Sequence, residues 1–436
     1  MKKYLKAALL CICVLCFALG AAACTDPASG EKDPGFHYRT VSGQKVLYDY
    51  VPEEGVTKVT IEEDVDKIQA GAFSGNGTIK EIVVESNVTE IGAGAFAGMT
   101  ALESITLPFT GESADAVNEK KTFGYVFGTE EYDGGVAVTQ TYGSSSATYY
   151  LPETLRNVTI NAGEGVAAEN DAGETAYEGY KLAAYAFHSM NRLRTITLAG
   201  NITAIGDYAF YGCYELRSFA VPQTVESIGK QAFVNCTRLN GIAGTGVETA
   251  AEGTPNGNVS FAENSELTSI GDYAFAGTKL TEIDLSGQSK LAAFGEGAFA
   301  STIVAAASVT DGTETELNSR LESVTLPQTV TEIPTRAFYD CAYLKQVIYS
   351  DTLTAVRTDA FAKCDALRLV KNVSATETLP AEGTGVIVLP STVVKVYAGA
   401  FVNVGNSRIT YTLVSDDSTY FVDGWKDDTK WADEQA

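Results

Sequence analysis

The sequence predicts one solenoid built from stacked turns of a short repeat, and two periodic features predict it. The first is an Ala-Phe pair that recurs in one frame, so that Phe210 and Phe233 are 23 residues apart. The second is an apolar residue five positions before each of these phenylalanines, as Ile205 is before Phe210. A fixed period of roughly 20–50 residues is typical of solenoids, propellers and arrays. The ten repeat phenylalanines are residues 73, 96, 187, 210, 233, 275, 299, 338, 361 and 401.

Each repeat contains a piece with the spacing of a β-strand. LESITL at 102–107 and LESVTL at 321–326 place apolar residues two apart, on one face of an extended chain. The apolar residues around the Phe, at −8, −5, −1 and 0, are spaced too irregularly for a strand and predict a short helical or turn-rich segment. Stacked turns would then form a parallel sheet over a continuous core. Predicted strands include 102–107, 193–198, 216–221 and 321–326.

The repeat resembles a known family. VESIGKQAFVNCTRL at 225–239 follows, nearly position by position, the 23-residue BspA-like leucine-rich repeat of bacterial surface proteins, LxxIxLPxxVxxIGxxAFxxCxxLxxI. The resemblance covers roughly residues 56–415, with interruptions. It implies a leucine-rich-repeat solenoid with a parallel sheet on its concave side. It also implies a surface or secreted protein of a kind often implicated in adhesion.

The N-terminus has the pattern of a signal peptide at 1–23. Three lysines precede an apolar run that is short for a membrane span. Ala21-Ala22-Ala23-Cys24 resembles a bacterial lipobox, although Ala stands where Leu is usual three residues before the Cys. We therefore predict a lipid on Cys24 and a tether at 24–35, which places the protein on the cell surface or envelope. Cleavage without lipidation is the alternative.

The rest of the chain is divided by where the repeat begins, breaks and ends. Residues 36–55 are predicted to be a strand-rich cap, 56–414 the solenoid, and 415–436 a C-terminal cap. Within the first break, residues 123–128 look like a degenerate repeat carrying a hairpin. Polar, Gly-rich insertions are predicted at 109–150, 161–178, 243–258, 301–318 and 371–385.

Neither composition nor motifs predict a catalytic, metal or cofactor site. The net charge of −24 disfavours nucleic acid as a partner. The only histidines are His37 and His188, and no catalytic set can be assembled around them. The cysteines of the repeats form no CxxC pair that would indicate zinc. Four cysteines lie three residues after a repeat Phe, a position that predicts free buried thiols, with pairing between turns as the alternative: Cys213, Cys236, Cys341 and Cys364.

Two sets of residues are predicted to contact a ligand. Tyr185 and Tyr208 lie two residues before a repeat Phe, at a variable and therefore presumed exposed position; the alternative is that they only cover the convex surface. Four insertions follow a strand and would emerge on one edge beside the concave sheet. Deleting 243–258 and 371–385 should then weaken binding without changing stability, unless the loops have no role. Outward residues of that sheet are Arg194, Thr195, Thr197, Arg217, Glu322, Ser323 and Thr325.

These features together predict a non-catalytic binding protein at the bacterial surface. Its partner would be a host protein, another cell or a glycan, and the protein itself a monomer attached to the membrane by lipid. A structural or envelope-assembly protein without a soluble ligand is the first alternative. A hydrolase with its site in the insertions is the second.

Overall fold

The main structural feature is a ladder of short parallel strands, to which successive turns of the chain each contribute one. The computed structural model describes residues 32–164, 166–169, 175–217, 219–239, 242–244, 258–261, 265–301, 320–389, 391–404, 409–412 and 431–432. Five strands form one sheet: Lys58–Thr60, Glu81–Val83, Ser104–Leu107, Asn157–Asn161 and Thr195–Ala199. Ten form the next: Phe219–Val221, Ile242–Gly244, Asn258–Ser260, Glu282–Asp284, Ser323–Thr325, Gln346–Tyr349, Leu369–Asn372, Gly385–Val388, Ile409–Thr412 and Trp431–Ala432.

The two sheets follow one another directly, and we call them together the main ladder. The N–H of Arg217 donates to the carbonyl of Arg194 across their junction, at 3.3 Å. Neighbouring strands pair in register, so that Ile105 is aligned with Ile82 on one side and Val158 on the other. All three side chains are buried, while the residues that alternate with them are partly exposed. This alternation confirms the predicted sheet with one face against the core.

The strands of the main ladder are shorter than the sequence predicted. The four predicted strands begin two or three residues late, at Ser104, Thr195, Phe219 and Ser323. The cause is visible at the leading leucines, whose N–H groups close turns. The Leu102 N–H donates to the Met99 carbonyl and the Leu216 N–H to the Cys213 carbonyl, both at 3.1 Å. The leucines are therefore buried without joining the ladder.

A second ladder of very short parallel strands lies just before the repeat phenylalanines. The sequence predicted no strand there, and that prediction was wrong, because two residues are too few to show an alternating pattern. Tight turns follow these strands and carry the Ala-Phe pairs. The strands form three groups: Lys67–Ile68 and Glu90–Ile91; Tyr180–Leu182, Ile202–Ile205, Ser227–Ile228, Ser269–Ile270 and Ala293–Phe294; Glu332–Ile333, Ala355–Val356 and Lys395–Val396.

An antiparallel hairpin covers the N-terminal end of the described array. Its strands are Gly35–Val41 and Gln44–Val51, and the second pairs in parallel with Lys67–Ile68. The ring of Tyr50 lies 5.2 Å from that of Phe73, the first repeat phenylalanine. The hairpin thus covers apolar surface and a strand edge that an open end would expose.

The ten repeat phenylalanines are buried in one row, as predicted. Rings of successive turns lie 5.0–5.8 Å apart from Phe187 to Phe401, most of them nearly parallel. The only long sequence gap in the first part of the row, between Phe96 and Phe187, is filled by Phe127 and Phe123. The row is therefore a continuous aromatic stack along the array.

The segment 109–150 contains a turn of the array and a hairpin, as the sequence predicted. Two 3-10 helices lie here, Asn118–Lys121 and Phe123–Phe127, and the second supplies both aromatic rings that fill the row. An antiparallel hairpin of Gly135–Tyr142 and Ser145–Pro152 follows. This hairpin leaves the array after the phenylalanine segment and not after a main-ladder strand. The expectation that it emerges on the strand-end edge was therefore wrong.

Two other segments predicted as insertions contain main-ladder strands. Ile242 pairs with Val259, and Leu369 pairs with Val386, so in each case the chain returns to the ladder as the next parallel strand. Deleting 243–258 or 371–385 would remove ladder residues, which contradicts the expectation of unchanged stability. The segment 161–178 does leave the ladder, as the hairpin Val166–Glu169 and Thr175–Glu178. Residues 302–319 lie outside the described part of the chain.

The four repeat cysteines are buried and free, which confirms the prediction. Each thiol donates to the carbonyl of the phenylalanine in the preceding turn, at 3.1–3.2 Å; Cys213 for example donates to Phe187. Burial raises the pKa of the Cys236 and Cys364 thiols well above the usual value. These residues therefore fill the core as small protonated side chains, not as reactive thiolates.

Candidate binding surface

The outward face of the main ladder carries the predicted contact residues in two separate groups. Arg194 and Thr197 are exposed, as is Glu322, while the other members are partly exposed: Thr195, Arg217, Ser323 and Thr325. Four steps of the ladder separate the strand Phe219–Val221 from Ser323–Thr325. At about 4.8 Å per step, the two groups are roughly 20 Å apart. They could contact one extended macromolecule but not one small ligand.

Tyr185 and Tyr208 are less accessible than the sequence suggested. Both are only partly exposed, and Tyr273 at the equivalent position is buried. The Tyr185 and Tyr208 rings stack 4.8 Å apart with an interplanar angle of 5°. His188 stacks on Tyr211 beside them, at 5.1 Å. The expectation of freely exposed tyrosines was wrong, because neighbouring turns bring equivalent rings into contact. Their role in binding remains a prediction.

The variability at this position has a backbone cause that sequence reasoning missed. In all ten repeats the residue two before the Phe has a positive φ, 65° at Tyr185 and 57° at Tyr208. Such a conformation favours glycine, which adopts it with the least strain. Four of the ten positions hold one: Gly71, Gly94, Gly297 and Gly399. These four glycines were the feature of the sequence that could have revealed the positive φ. They mark a left-handed turn, not an exposed contact position.

Several charged residues along the main ladder are paired with an opposite charge one turn away. Lys80 Nζ lies 2.8 Å from Glu103, and Lys345 Nζ lies 2.6 Å from Glu322. Lys58 Nζ lies 2.7 Å from Glu81 in the same way. Exposed pairs of this kind contribute about 0–1 kcal/mol each. Their consequence for the surface is that Glu322, a predicted contact residue, is already partly neutralised.

Three observations on the described residues concern metal binding, histidine chemistry and membrane spans. Within them, no group of three or more His, Cys, Asp or Glu could hold a metal ion. Burial lowers the pKa of His188, and its Nδ1 lies 2.9 Å from Ser189 Oγ. No helix in the same part of the chain is long and apolar enough to cross a membrane. Residues 1–31, including Cys24, lie outside it.

Comparison with known families decides what kind of protein this is. The model of the BspA-type leucine-rich repeat region, six copies, matches residues 52–118, 177–251, 253–316 and 312–382, which is more than half of the chain. The chain belongs to this family. As a BspA-type repeat protein it has the parallel sheets and near absence of helix of a leucine-rich-repeat solenoid. No curated protein matches it.

Solved structures similar to this BspA-type chain are bacterial proteins of low identity. A leucine-rich repeat protein from Bacteroides ovatus is 18% identical, covers 93% of this chain and all of its own, and has a TM-score of 0.42. A leucine-rich cell surface protein from Faecalibacterium prausnitzii is also 18% identical, over 94% of this chain and 96% of its own, with a TM-score of 0.31. The pneumococcal vaccine antigen PcpA is 14% identical over 92% and 97%, with a TM-score of 0.33.

Proposed function

We propose that this protein is a non-catalytic binding protein of the bacterial cell surface. The observation that carries the proposal is the outward face of the main ladder, whose polar side chains are held at regular intervals by a fully buried row on the opposite face. A rigid, extended surface of this kind suits a macromolecule, because its contacts are spread over several turns. The family of bacterial surface proteins supports the same location.

The proposed contact surface comprises the main ladder and the hairpin that leaves it after Asn157–Asn161. Thr197 is exposed on the neighbouring strand, and Arg194 precedes that strand. The hairpin Val166–Glu169 and Thr175–Glu178 starts from the strand-end edge, where a ligand lying on the ladder would meet it. The segments 243–258 and 371–385 belong to this surface as parts of the main ladder and not as loops, because both contain ladder strands.

A binding screen tests this function. We expect the purified protein to bind at least one member of an array of host extracellular proteins and bacterial or host glycans. Substituting Thr197→Glu, which places a bulky negative charge on the outward face, should abolish that binding with no change in melting temperature. A protein that binds nothing in the array, or that hydrolyses one of its members, would contradict the proposal. The matched control is Thr89→Glu, at an exposed threonine beside the second ladder.

We also propose that Cys24 carries lipid and attaches the protein to the membrane. The support is the small residues before it and the polar tether after it. Cys24→Ala should move the protein from the membrane fraction to the medium or the periplasm, as measured by immunoblotting of fractionated cells. Because one acyl chain gives only marginal anchoring, the native lipid should carry more than one chain. Unchanged fractionation of the variant would mean that Cys24 is not the anchor.

A further inference from the structure

Three arginines at the end of the first sheet, next to its junction with the second, depart from the charge pairing seen elsewhere on the array. Arg156 and Arg194 precede adjacent strands, and their backbones are joined by a hydrogen bond of 2.9 Å. Arg192 lies in the turn just before Arg194 and is exposed, as Arg194 is. Among the described residues, none of the three forms an ion pair with a carboxylate. In a chain with 55 acidic and 31 basic residues, an unpaired group of like charges is unexpected.

Two of the three guanidinium groups share a backbone acceptor, the carbonyl of Glu153. Arg156 Nη1 donates to the carbonyls of Glu153 at 2.6 Å and Leu155 at 2.8 Å. Arg192 Nη2 donates to the same Glu153 carbonyl at 3.2 Å. These neutral acceptors position the groups without neutralising them. Burial, followed by repulsion from Arg192 and Arg194, lowers the pKa of Arg156, and the carboxylates of Glu153 and Glu215 only partly offset this.

The surroundings of the arginine cluster distinguish between classes of anion. Tyr214 occupies the position one turn along from Asn191 and is 46% exposed. Arginine and tyrosine are the residue types most enriched at the energetic centres of protein interfaces. A cleft of about 10 Å³ beside Arg192 is lined mainly by aliphatic side chains and has room for about one water molecule, so it admits neither a side chain nor a sugar ring. Its apolar lining comprises Val136, Val138, Leu151, Leu155, Met190 and Leu193.

We propose that the cluster of Arg156, Arg192 and Arg194, with Tyr214, binds an acidic segment of a partner protein. Other basic residues of the ladder, such as Lys345, pair with a carboxylate one turn away. At the arginine cluster, the carboxylates of the bound segment supply the negative charge. An apolar side chain next to those carboxylates packs on the exposed ring of Tyr214. The proposal rests on the proposed binding function and names the chemistry of its partner.

The test measures binding of three probes to the purified protein. They are a labelled peptide in which glutamates flank one leucine, the same peptide with glutamine for every glutamate, and heparin as a sulfated glycan. We expect the glutamate peptide to bind and the glutamine peptide to bind at least about tenfold more weakly. Arg192→Gln and Arg194→Gln should each weaken the glutamate peptide about tenfold, the usual effect of losing one charge-assisted hydrogen bond.

Lys345→Gln is the matched control. Lys345 precedes its ladder strand as Arg194 does, but it is paired with Glu322. It should leave peptide binding within about twofold, and all variants should keep the parental melting temperature because none of the substituted side chains is buried in the core. Equal weakening by Lys345→Gln would show that only overall charge matters and would overturn the proposal.

Two further outcomes would also overturn it. Arginine-dependent binding of heparin, without binding of the glutamate peptide, would assign the cluster to a glycan. A protein ligand from the screen that binds the arginine variants normally would disprove this site while leaving the proposed function intact. The two proposals therefore fail through different measurements.

Discussion

Phe210→Ala is expected to lower the free energy of unfolding of its region by about 3–5 kcal/mol, the range for truncating a buried phenylalanine. The ring is fully buried and lies between those of Phe187 at 5.5 Å and Phe233 at 5.0 Å. It also contacts Phe219 of the main ladder, at 4.9 Å. Truncation would therefore leave a cavity and interrupt the aromatic stack where the two ladders meet.

The effect should be measured by denaturant unfolding and by hydrogen exchange. Because each turn contacts mainly its neighbours, loss of one ring should destabilise adjacent turns first and lower exchange protection there. Tyr214→Ala, four residues away and largely exposed, is the control and should cost less than about 1 kcal/mol. Similar losses for the two variants would show that the phenylalanine row does not stabilise the array as described.

Gly206→Ala is expected to have the second large effect. An added Cβ would lie 2.5 Å from the Ala184 nitrogen and 2.6 Å from the Leu182 oxygen of the preceding turn. Both atoms belong to the backbone, so no side chain can move aside. Overpacking of this kind costs about 1–3 kcal/mol, and a backbone clash places the variant at the upper end. The same close approach exists at Gly92, Gly229, Gly271 and Gly295, which explains the glycine of the Ile-Gly pair.

Gly77→Ala is the matched control for this substitution. Its Cβ would meet only the Thr100 hydroxyl, at 3.3 Å, and a hydroxyl can rotate away. We expect a change below about 1 kcal/mol for Gly77→Ala and a clear decrease in melting temperature for Gly206→Ala. Equal stability of the two variants would mean that adjacent turns are not in backbone contact at Gly206. Glycine is not required at this position in every repeat, since Arg357 and Tyr397 occupy it in the last two.

The sequence by itself determined the solenoid, its repeat register and the buried row. Phe210 and Phe233 recur at one spacing, and residues one turn apart must stack in a parallel array. The same reasoning placed Cys213 in the core, because its position also accepts Met and Val. The outward and inward faces of the strands followed from their period of two. Each of these inferences depends only on the repeat pattern and not on contacts between segments of irregular length.

Contacts between turns were decided by the tertiary structure alone. Asn258–Ser260 and Gly385–Val388 lack the full repeat motif, yet both continue the main ladder. The stacking of Tyr185 on Tyr208 depends on two left-handed residues meeting across a turn. Arg156 and Arg194 are 38 residues apart in sequence because a hairpin lies between them. The strands that follow the two arginines nevertheless pair directly. A period cannot reveal such pairs, because chain segments of irregular length separate residues that the ladder brings together.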